Sequence, residues 1–139
     1  MAYGAQGGYS RIEFWPVSNT GTIDNGDMVH WDEAGQYITT CEAGDVPCGV
    51  ATEASNQPDD DAGNYIHVET SLMRMFEYPA DEGIITVALI GKKMDVGGAQ
   101  TIDIDASVDG CFYCTNVTLK GSTKTVVGRF AFNDSFAGI

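Results

Sequence analysis

Short runs of β-branched and aromatic residues, each closed by Gly, Asn, Asp or Pro, recur along this chain and constrain its fold more than any other feature. The clearest runs cover residues 27–31, 36–40, 65–69, 84–90 and 125–130. Residues of these types favour strands, and the residues between them favour turns. We see no stretch with the apolar repeat of an amphipathic helix. The sequence therefore predicts an all-β fold: a single small β-barrel, or a β-tulip or sandwich.

Two regions also predict which side chains are buried. The run at residues 84–90 (IITVALI) is the most continuously apolar part of the chain, which is typical of a central strand. Further on, Ile102 and Ile104 alternate with Asp103 and Asp105. Successive side chains of a strand point to opposite faces, so the isoleucines should face the core and the aspartates the solvent.

The length of 139 residues suits one domain with a hydrophobic core of its own. Residues 1–10 contain Gly, Ala, Gln and Tyr without apolar periodicity, and residues 11–17 then form a compact apolar and aromatic stretch. We interpret 1–17 as an extended N-terminal arm that lies on a neighbouring subunit, and 18–139 as a single β domain. Neither a signal peptide nor an apolar run of the ~20 residues that span a bilayer is visible, so we expect no membrane partner.

The charge is strongly negative and unevenly distributed. The formal net charge is −13, which disfavours binding to nucleic acid and to anionic lipid. Residues 1–70 hold twelve acids and one base, Arg11, whereas residues 71–139 hold eight acids and six bases. Those six bases are Arg74, Lys92, Lys93, Lys120, Lys124 and Arg129. Either the whole acidic surface serves solvation, or the acidic half faces outward while the basic residues lie closer to a partner.

The four cysteines do not have the spacing of a zinc site. Cys111 and Cys114 form a Cys-x-x-Cys within a predicted strand, where residues three apart point to opposite faces. Cys41 and Cys48 are too far apart for a second zinc knuckle. Buried free thiols are therefore favoured over zinc and over a Cys41–Cys48 disulfide. We expect no metal and no cofactor.

Catalytic signatures are also missing from the sequence. His30 and His67 lie in predicted strands, where a structural role is commoner than a catalytic one, and no Gly-x-Ser-x-Gly elbow or phosphate-binding loop accompanies them. Asp59 and Asp61 begin a stretch that resembles a calcium loop, but Thr70 occupies the position of the bidentate Glu. An exposed acidic loop is therefore favoured there, and we expect that the chain is not an enzyme.

Four features in order resemble the small head decoration, or cement, proteins of tailed double-stranded DNA bacteriophages. They are the Gly- and Tyr-containing N-terminus, NGDMV at 25–29, CGVATE at 48–53 and IGKKMDV at 90–96. The resemblance implies a β-rich structural protein that binds the outer face of the mature capsid, where it stabilises the DNA-filled head. It further implies a homo-oligomer, a trimer in many such proteins, that contacts the major capsid protein and bridges its subunits through terminal arms. The chain would then be made in the host cytoplasm and reside in the virion.

The resemblance also implies which residues make the arm's contacts, because aromatic residues and Arg dominate the energies of protein interfaces. These interface residues are Tyr3, Tyr9, Arg11, Ile12, Phe14, Trp15 and Pro16. An alternative function is a carbohydrate- or receptor-binding β module of a virion or cell surface. That module would use surface aromatics such as Trp31, Tyr37 or Tyr113, with calcium at Asp59 and Asp61.

Overall fold

The computed structural model describes residues 4–7, 10–18, 20–55 and 64–132, and of residues 4–7 the backbone only. These ranges contain eleven strands, one 3-10 turn and no α-helix, so the all-β prediction is confirmed. No helix within the same ranges has the length and apolar character to cross a bilayer. The strands are β1 (Gly4–Gly7), β2 (Ile12–Pro16), β3 (Met28–Trp31), β4 (Ile38–Thr40), β5 (Gly49–Ala51), β6 (Tyr65–Glu69), β7 (Met75–Tyr78), β8 (Lys93–Gly98), β9 (Thr101–Asp103), β10 (Phe112–Thr118) and β11 (Thr125–Phe130).

The strands form two antiparallel sheets in a sandwich-like arrangement. The six-stranded sheet has the order β1-β7-β11-β10-β8-β9, and the five-stranded sheet has the order β2-β6-β5-β3-β4. Both sheets curl, because single parallel bridges join Val17, just after β2, to Ile38, and Ala80, just after β7, to Ile102. The first bridge joins the two edge strands of its sheet, and the second joins the edge strand β9 to the end of β7, which lies next to the other edge strand; within the described residues neither forms the continuous ladder of a closed barrel.

Two hydrophobic cores follow from this curling. The first is built on the six-stranded sheet around Phe76, Tyr78, Phe112 and Phe130, and it also receives Met28 from the five-stranded sheet. The second lies within the five-stranded sheet and contains Val17, Ile23, Val29, Ile38, Ala51, Ile66 and Val68. Because side chains alternate along a strand, β3 sends successive residues into different cores and is buried on both faces.

Hydrogen bonds from the six-stranded sheet fasten the turn before β3. The buried Tyr78 hydroxyl donates to the Gly26 carbonyl at 2.6 Å, and the Gln100 side chain donates to the Asp27 carboxylate at 2.8 Å. Gly26 has φ +95°, a conformation that its missing Cβ makes accessible in the Asn-Gly turn. Burial raises the pKa of Asp27 and raises that of Tyr78 strongly. This junction therefore fixes how the two sheets meet.

Residues 84–90 are not a central strand, so that prediction is wrong. The segment is a loop with a 3-10 turn, Val87–Leu89, and only Ile85 and Leu89 point into the first core. Gly83 (φ +89°) and Gly91 (φ +90°) bound it with turns that break strand pairing on both sides. By contrast, the alternation from Ile102 to Asp105 is confirmed, because both isoleucines are buried and both aspartates are directed away from the core.

The described parts of the N-terminal segment pair with strands of the same chain, whereas residues 1–17 were predicted to be an extended arm on a neighbouring subunit. β1 pairs with β7 at the edge of the six-stranded sheet, and β2 pairs with β6 at the edge of the five-stranded sheet. The physical reason is that backbone amides and carbonyls pair at a sheet edge whatever the side-chain pattern. Absence of apolar periodicity in residues 4–7 therefore says little about whether they pair.

Candidate functional site

A buried carboxylate fixes the start of β2 to the domain. The Glu69 side chain accepts hydrogen bonds from the Ser10 hydroxyl and from the Arg11 amide, both at 2.5 Å. The Arg11 carbonyl in turn accepts from the Thr70 amide at 2.8 Å. The Arg74 guanidinium lies 3.8 Å from the same carboxylate. A buried acid that accepts several hydrogen bonds is costly to disturb, so the path of the chain into β2 is well determined.

The outward face of β2 and β6 carries exposed apolar side chains. Phe14 is opposite His67 and Pro16 is opposite Tyr65 in the antiparallel register, and paired residues share one face of a sheet. Phe14 is 58% exposed, and Ile12 and Tyr65 are also exposed. We define Ile12, Phe14 and Tyr65 as the N-terminal surface. Apolar residues grouped in this way on a folded domain are typical of a site of protein contact.

An imidazole supports the centre of the N-terminal surface. The Phe14 and His67 rings lie with centroids 4.1 Å apart. The Glu53 carboxylate contacts His67 Nδ1 and also accepts a hydrogen bond from the His67 backbone amide at 2.8 Å. That backbone hydrogen bond, with the neighbouring imidazole, lowers the pKa of Glu53. The carboxylate thus holds the His67 ring beside Phe14.

The seven predicted interface residues do not all reach this surface. Ile12 and Phe14 share it, and Arg11 is exposed next to it with a long contact of 3.9 Å to Glu13. Trp15 instead points to the second core, where its ring lies 5.2 Å from that of Trp31. Pro16 ends the strand and is half-buried. The two remaining residues, Tyr3 and Tyr9, lie outside the described residues.

A second exposed apolar surface is formed by the loop at residues 84–90. Ile84 is 77% exposed and Val87 is 64% exposed, and Ile90 is exposed as well. Ile85 and Leu89 alternate with them and are buried in the first core. We define Ile84, Val87 and Ile90 as the 84–90 surface. The apolar run therefore places some of its side chains in the first core and others in solvent. Because both groups are apolar, its composition resembles that of a strand buried on both faces.

Local hydrogen bonds hold the 84–90 surface in place. The Thr86 hydroxyl accepts from the Ala88 amide at 3.3 Å, and the Thr86 carbonyl accepts from the Leu89 amide at 3.2 Å. The Gly91 amide donates to the Cys114 carbonyl of β10 at 2.8 Å. The loop is therefore anchored to the six-stranded sheet at its C-terminal end, and its apolar side chains project from a defined backbone.

The 84–90 surface is bordered by basic residues. An open groove of about 360 Å³ is lined by Ile84 and by Lys124. Lys92 follows the loop, with its amide donating to the Leu89 carbonyl at 3.1 Å. Both lysines are exposed, and within the described ranges neither is in an ion pair. Asp81 and Glu82 are also exposed and directly precede the loop, so this surface combines apolar side chains with charged groups of both signs.

Sequence reasoning missed the 84–90 surface and the anchoring role of Glu69. The sequence signal for the 84–90 surface was the pair of glycines at 83 and 91, which lie at the two ends of residues 84–90 and favour turns there. No comparable signal marked Glu69, because its partners Ser10 and Arg11 are nearly sixty residues away along the chain.

The cysteines are free and buried, as predicted. Burial is the main cause of a raised pKa at three thiols, those of Cys41, Cys111 and Cys114, and it raises the pKa of Cys111 to about 11. Thiols of this kind stay protonated at neutral pH and are poor nucleophiles. Among the described residues, one group of possible metal ligands converges, and it consists of His30, Cys41 and Asp45.

The aromatics proposed for carbohydrate or receptor binding are divided between the two sheets. Trp31 ends β3, and its ring packs against Trp15. Tyr37, half-buried, directly precedes β4 of the same sheet, whereas Tyr113 is exposed on β10 of the six-stranded sheet. The loop with Asp59 and Asp61 lies outside the described residues. These positions do not combine into one stacking platform.

Comparison of the chain with protein-family models, with curated protein sequences and with solved structures gives no match.

Proposed function

We propose that this chain is a capsid decoration protein, a structural component without enzymatic activity. In this proposal it binds the outer face of a mature bacteriophage capsid as a homo-oligomer, with a trimer favoured, and bridges neighbouring copies of the major capsid protein. The observation that carries the proposal is the presence of two exposed apolar surfaces, one on an edge of the five-stranded sheet and one on the loop between β7 and β8 of the six-stranded sheet. A protein that joins copies of itself and also attaches to a shell needs two such surfaces.

The 84–90 surface is the one we assign to the capsid. Lys92 and Lys124 lie beside it, and six of the seven bases of the chain follow residue 70, so positive charge is concentrated in the half of the sequence that carries this surface, where Asp81 and Glu82 also adjoin the loop. Complementary charge steers association and sets orientation more than it adds affinity. With the basic side on the shell, the acidic half of the chain faces outward, which is the second of the two charge arrangements that the sequence leaves open.

The N-terminal surface is the one we assign to contact between copies. Its three side chains are about half exposed, so each gains only part of the roughly 1.5–3 kcal/mol that full burial of a large apolar side chain provides, before the costs of association are subtracted. β2 is also an edge strand, and the bridge from Val17 to Ile38 occupies this edge only at its C-terminal end, so the rest of its backbone lies where a neighbouring chain can approach. An oligomer then presents several 84–90 surfaces at once, and avidity makes attachment firm even if each contact is weak.

The proposal is tested with two paired variants and a matched control. Ile84→Ser with Val87→Ser changes the 84–90 surface, and Ile12→Ser with Phe14→Ser changes the N-terminal surface. Val108→Ser is the control, because Val108 is 92% exposed and belongs to neither surface. The measurements are molar mass by light scattering and co-sedimentation with expanded capsids that were assembled without this chain.

The 84–90 variant should keep its oligomeric mass and lose at least about tenfold in capsid affinity. The N-terminal variant should become monomeric, and its capsid binding should fall because avidity is lost. Added salt should weaken capsid attachment more than oligomerisation, since exposed charges are screened. Failure of the unchanged chain to co-sediment with capsids would overturn the proposed function, and glycan binding at Tyr113 would favour the alternative.

A further inference from the structure

Three side chains with metal-binding atoms converge at one end of the β3–β4 hairpin. They are His30 on β3, Cys41 just after β4, and Asp45 in the turn that follows. Their ligand atoms all lie within 4.8 Å of one another, and His30 Nε2 is 3.3 Å from Asp45 Oδ2. The thiol is buried, while the imidazole and the carboxylate are partly exposed, so the group opens to solvent on one side.

The fold holds these residues in position from several directions. The Cys41 amide donates to the Met28 carbonyl at 2.8 Å, which sets the end of β4 against β3. The Asp45 carboxylate accepts from the Glu42 amide at 2.8 Å, and this closes the turn between the thiol and the carboxylate. The Gly44 amide donates to the Val96 carbonyl at 2.9 Å, which ties the turn to β8 of the other sheet.

We propose that His30, Cys41 and Asp45 form a binding site for a divalent transition metal of the zinc class. Imidazole, thiolate and carboxylate are the ligands that zinc takes in proteins, at bond lengths near 2.0–2.3 Å. Two such ligands around a tetrahedral ion are about 3.2–3.8 Å apart. The His30–Asp45 separation of 3.3 Å already falls in that range, and binding requires the two separations from Cys41, which are at most 4.8 Å, to shorten to it. The fourth position is left to water on the open side.

The site differs from the Cys-x-x-Cys pattern that the sequence drew attention to. Cys111 and Cys114 are buried within the six-stranded sheet and its core, and Cys114 donates to the Asn116 carbonyl at 3.2 Å. Only Cys41 has both an imidazole and a carboxylate beside it among the described residues. Binding would release the thiol proton, because a coordinating thiol is deprotonated by the ion. This site is independent of the proposed attachment to capsids.

The experiment uses the full chain, reduced and freed of metal with a chelator, and titrates it with Zn²⁺ or Co²⁺ alone. Competition with a chromophoric chelator gives the affinity and stoichiometry of Zn²⁺ binding. Absorption of the Co²⁺ form reports thiolate coordination through its charge-transfer band in the near ultraviolet. The variants are Cys41→Ser, His30→Gln and Asp45→Asn. The matched controls are Cys114→Ser, another buried thiol, and His67→Gln, another strand histidine beside a carboxylate.

One equivalent of Zn²⁺ should bind, and the Co²⁺ form should show the thiolate band. Cys41→Ser should abolish the band, and each of the three variants should lower Zn²⁺ affinity by at least about tenfold, while both controls bind normally. Free Zn²⁺ at ~100 times Kd should also raise the ratio of folded to unfolded chain about 100-fold in denaturant. His30 is partly exposed, so His30→Gln still reports if Cys41→Ser does not fold.

Three results would each overturn the site. They are Zn²⁺ binding no tighter than millimolar, a Co²⁺ complex without the thiolate band, and an affinity that His30→Gln and Asp45→Asn leave unchanged. Equal loss of affinity in a control variant would place the metal elsewhere in the chain.

Discussion

The N-terminal surface and the 84–90 surface expose similar side chains but rest on different supports. Ile12 and Phe14 project from a strand that is paired with β6 along its length, and Glu69 fixes where that strand starts. Ile84 and Val87 project from a loop whose hold on the domain is two buried side chains and a few backbone hydrogen bonds. An exposed apolar surface can therefore be held in place by the backbone hydrogen bonds of a paired strand or by the buried side chains of a loop. Changes beneath the two surfaces should have different costs.

The largest expected effect comes from truncating the buried residue beneath each surface. Ile66→Ala removes a buried side chain from β6, between β2 and β5, and should lower the free energy of unfolding by about 2–5 kcal/mol. Ile85→Ala beneath the 84–90 surface should cost less, about 2 kcal/mol, because a loop can collapse onto the space that is left. Urea denaturation of the two variants measures both values. Equal losses would show that the loop is as firmly integrated as the strand.

A smaller effect is expected at the carboxylate that anchors β2. Glu69→Ala removes the acceptor of the Ser10 and Arg11 hydrogen bonds and should cost about 1.5–3 kcal/mol. Hydrogen exchange at the amides of Arg11 and Ile12 should accelerate, while exchange at Leu89 and Gly91 should not. Glu13→Gln is the control, since its exposed contact with Arg11 at 3.9 Å should contribute less than about 0.5 kcal/mol. If exchange in β2 is unchanged, strand pairing alone holds the segment.

The smallest effect is a pH dependence that belongs to the N-terminal surface alone. The pKa of Glu53 is lowered from its ordinary value of 4.5, chiefly by the hydrogen bond from the His67 amide. The stabilisation is therefore present in full above pH 4.5 and is lost as the pH falls below it. The melting temperature should decline in this range, and Glu53→Gln should make the decline shallower. Hydrogen exchange at His67 should respond to acid before exchange at Leu89 does, and the opposite order would contradict the assignment.

Much of this architecture was available from local sequence patterns. Turn residues such as Asn25-Gly26 and the alternation from Ile102 to Asp105 predicted strands that the structure contains, because both signals act over a few residues. The prediction of a strand at residues 84–90 was wrong for a physical reason. Apolar composition indicates a preference for burial, but the segment between the turns at Gly83 and Gly91 buries only two of its side chains in the core. Whether such a run pairs as a strand depends on edges supplied by distant parts of the chain.

The two candidate sites were harder to predict than the fold, because each depends on contacts between distant residues. Trp15 and Phe14 are neighbours in sequence, yet only the sheet decides which of them faces outward. His30, Cys41 and Asp45 become a group only when β3 and β4 pair and the next turn folds back. A composition-based search for paired cysteines passes over such a group, since it contains one thiol.

Both N-terminal strands find their partners far along the chain, and this has a consequence for synthesis on the ribosome. β1 pairs with β7 and β2 pairs with β6, so both strands are translated before their partners, which follow about fifty or more residues later. During that interval Ile12, Phe14 and Trp15 have no strand to lie against, and an unpaired apolar segment is a site of aggregation. Among the first seventy residues, twelve acids and one base keep nascent chains apart by mutual repulsion. We therefore expect the acidity of residues 1–70 to reduce aggregation between nascent chains before β1 and β2 pair with their partner strands.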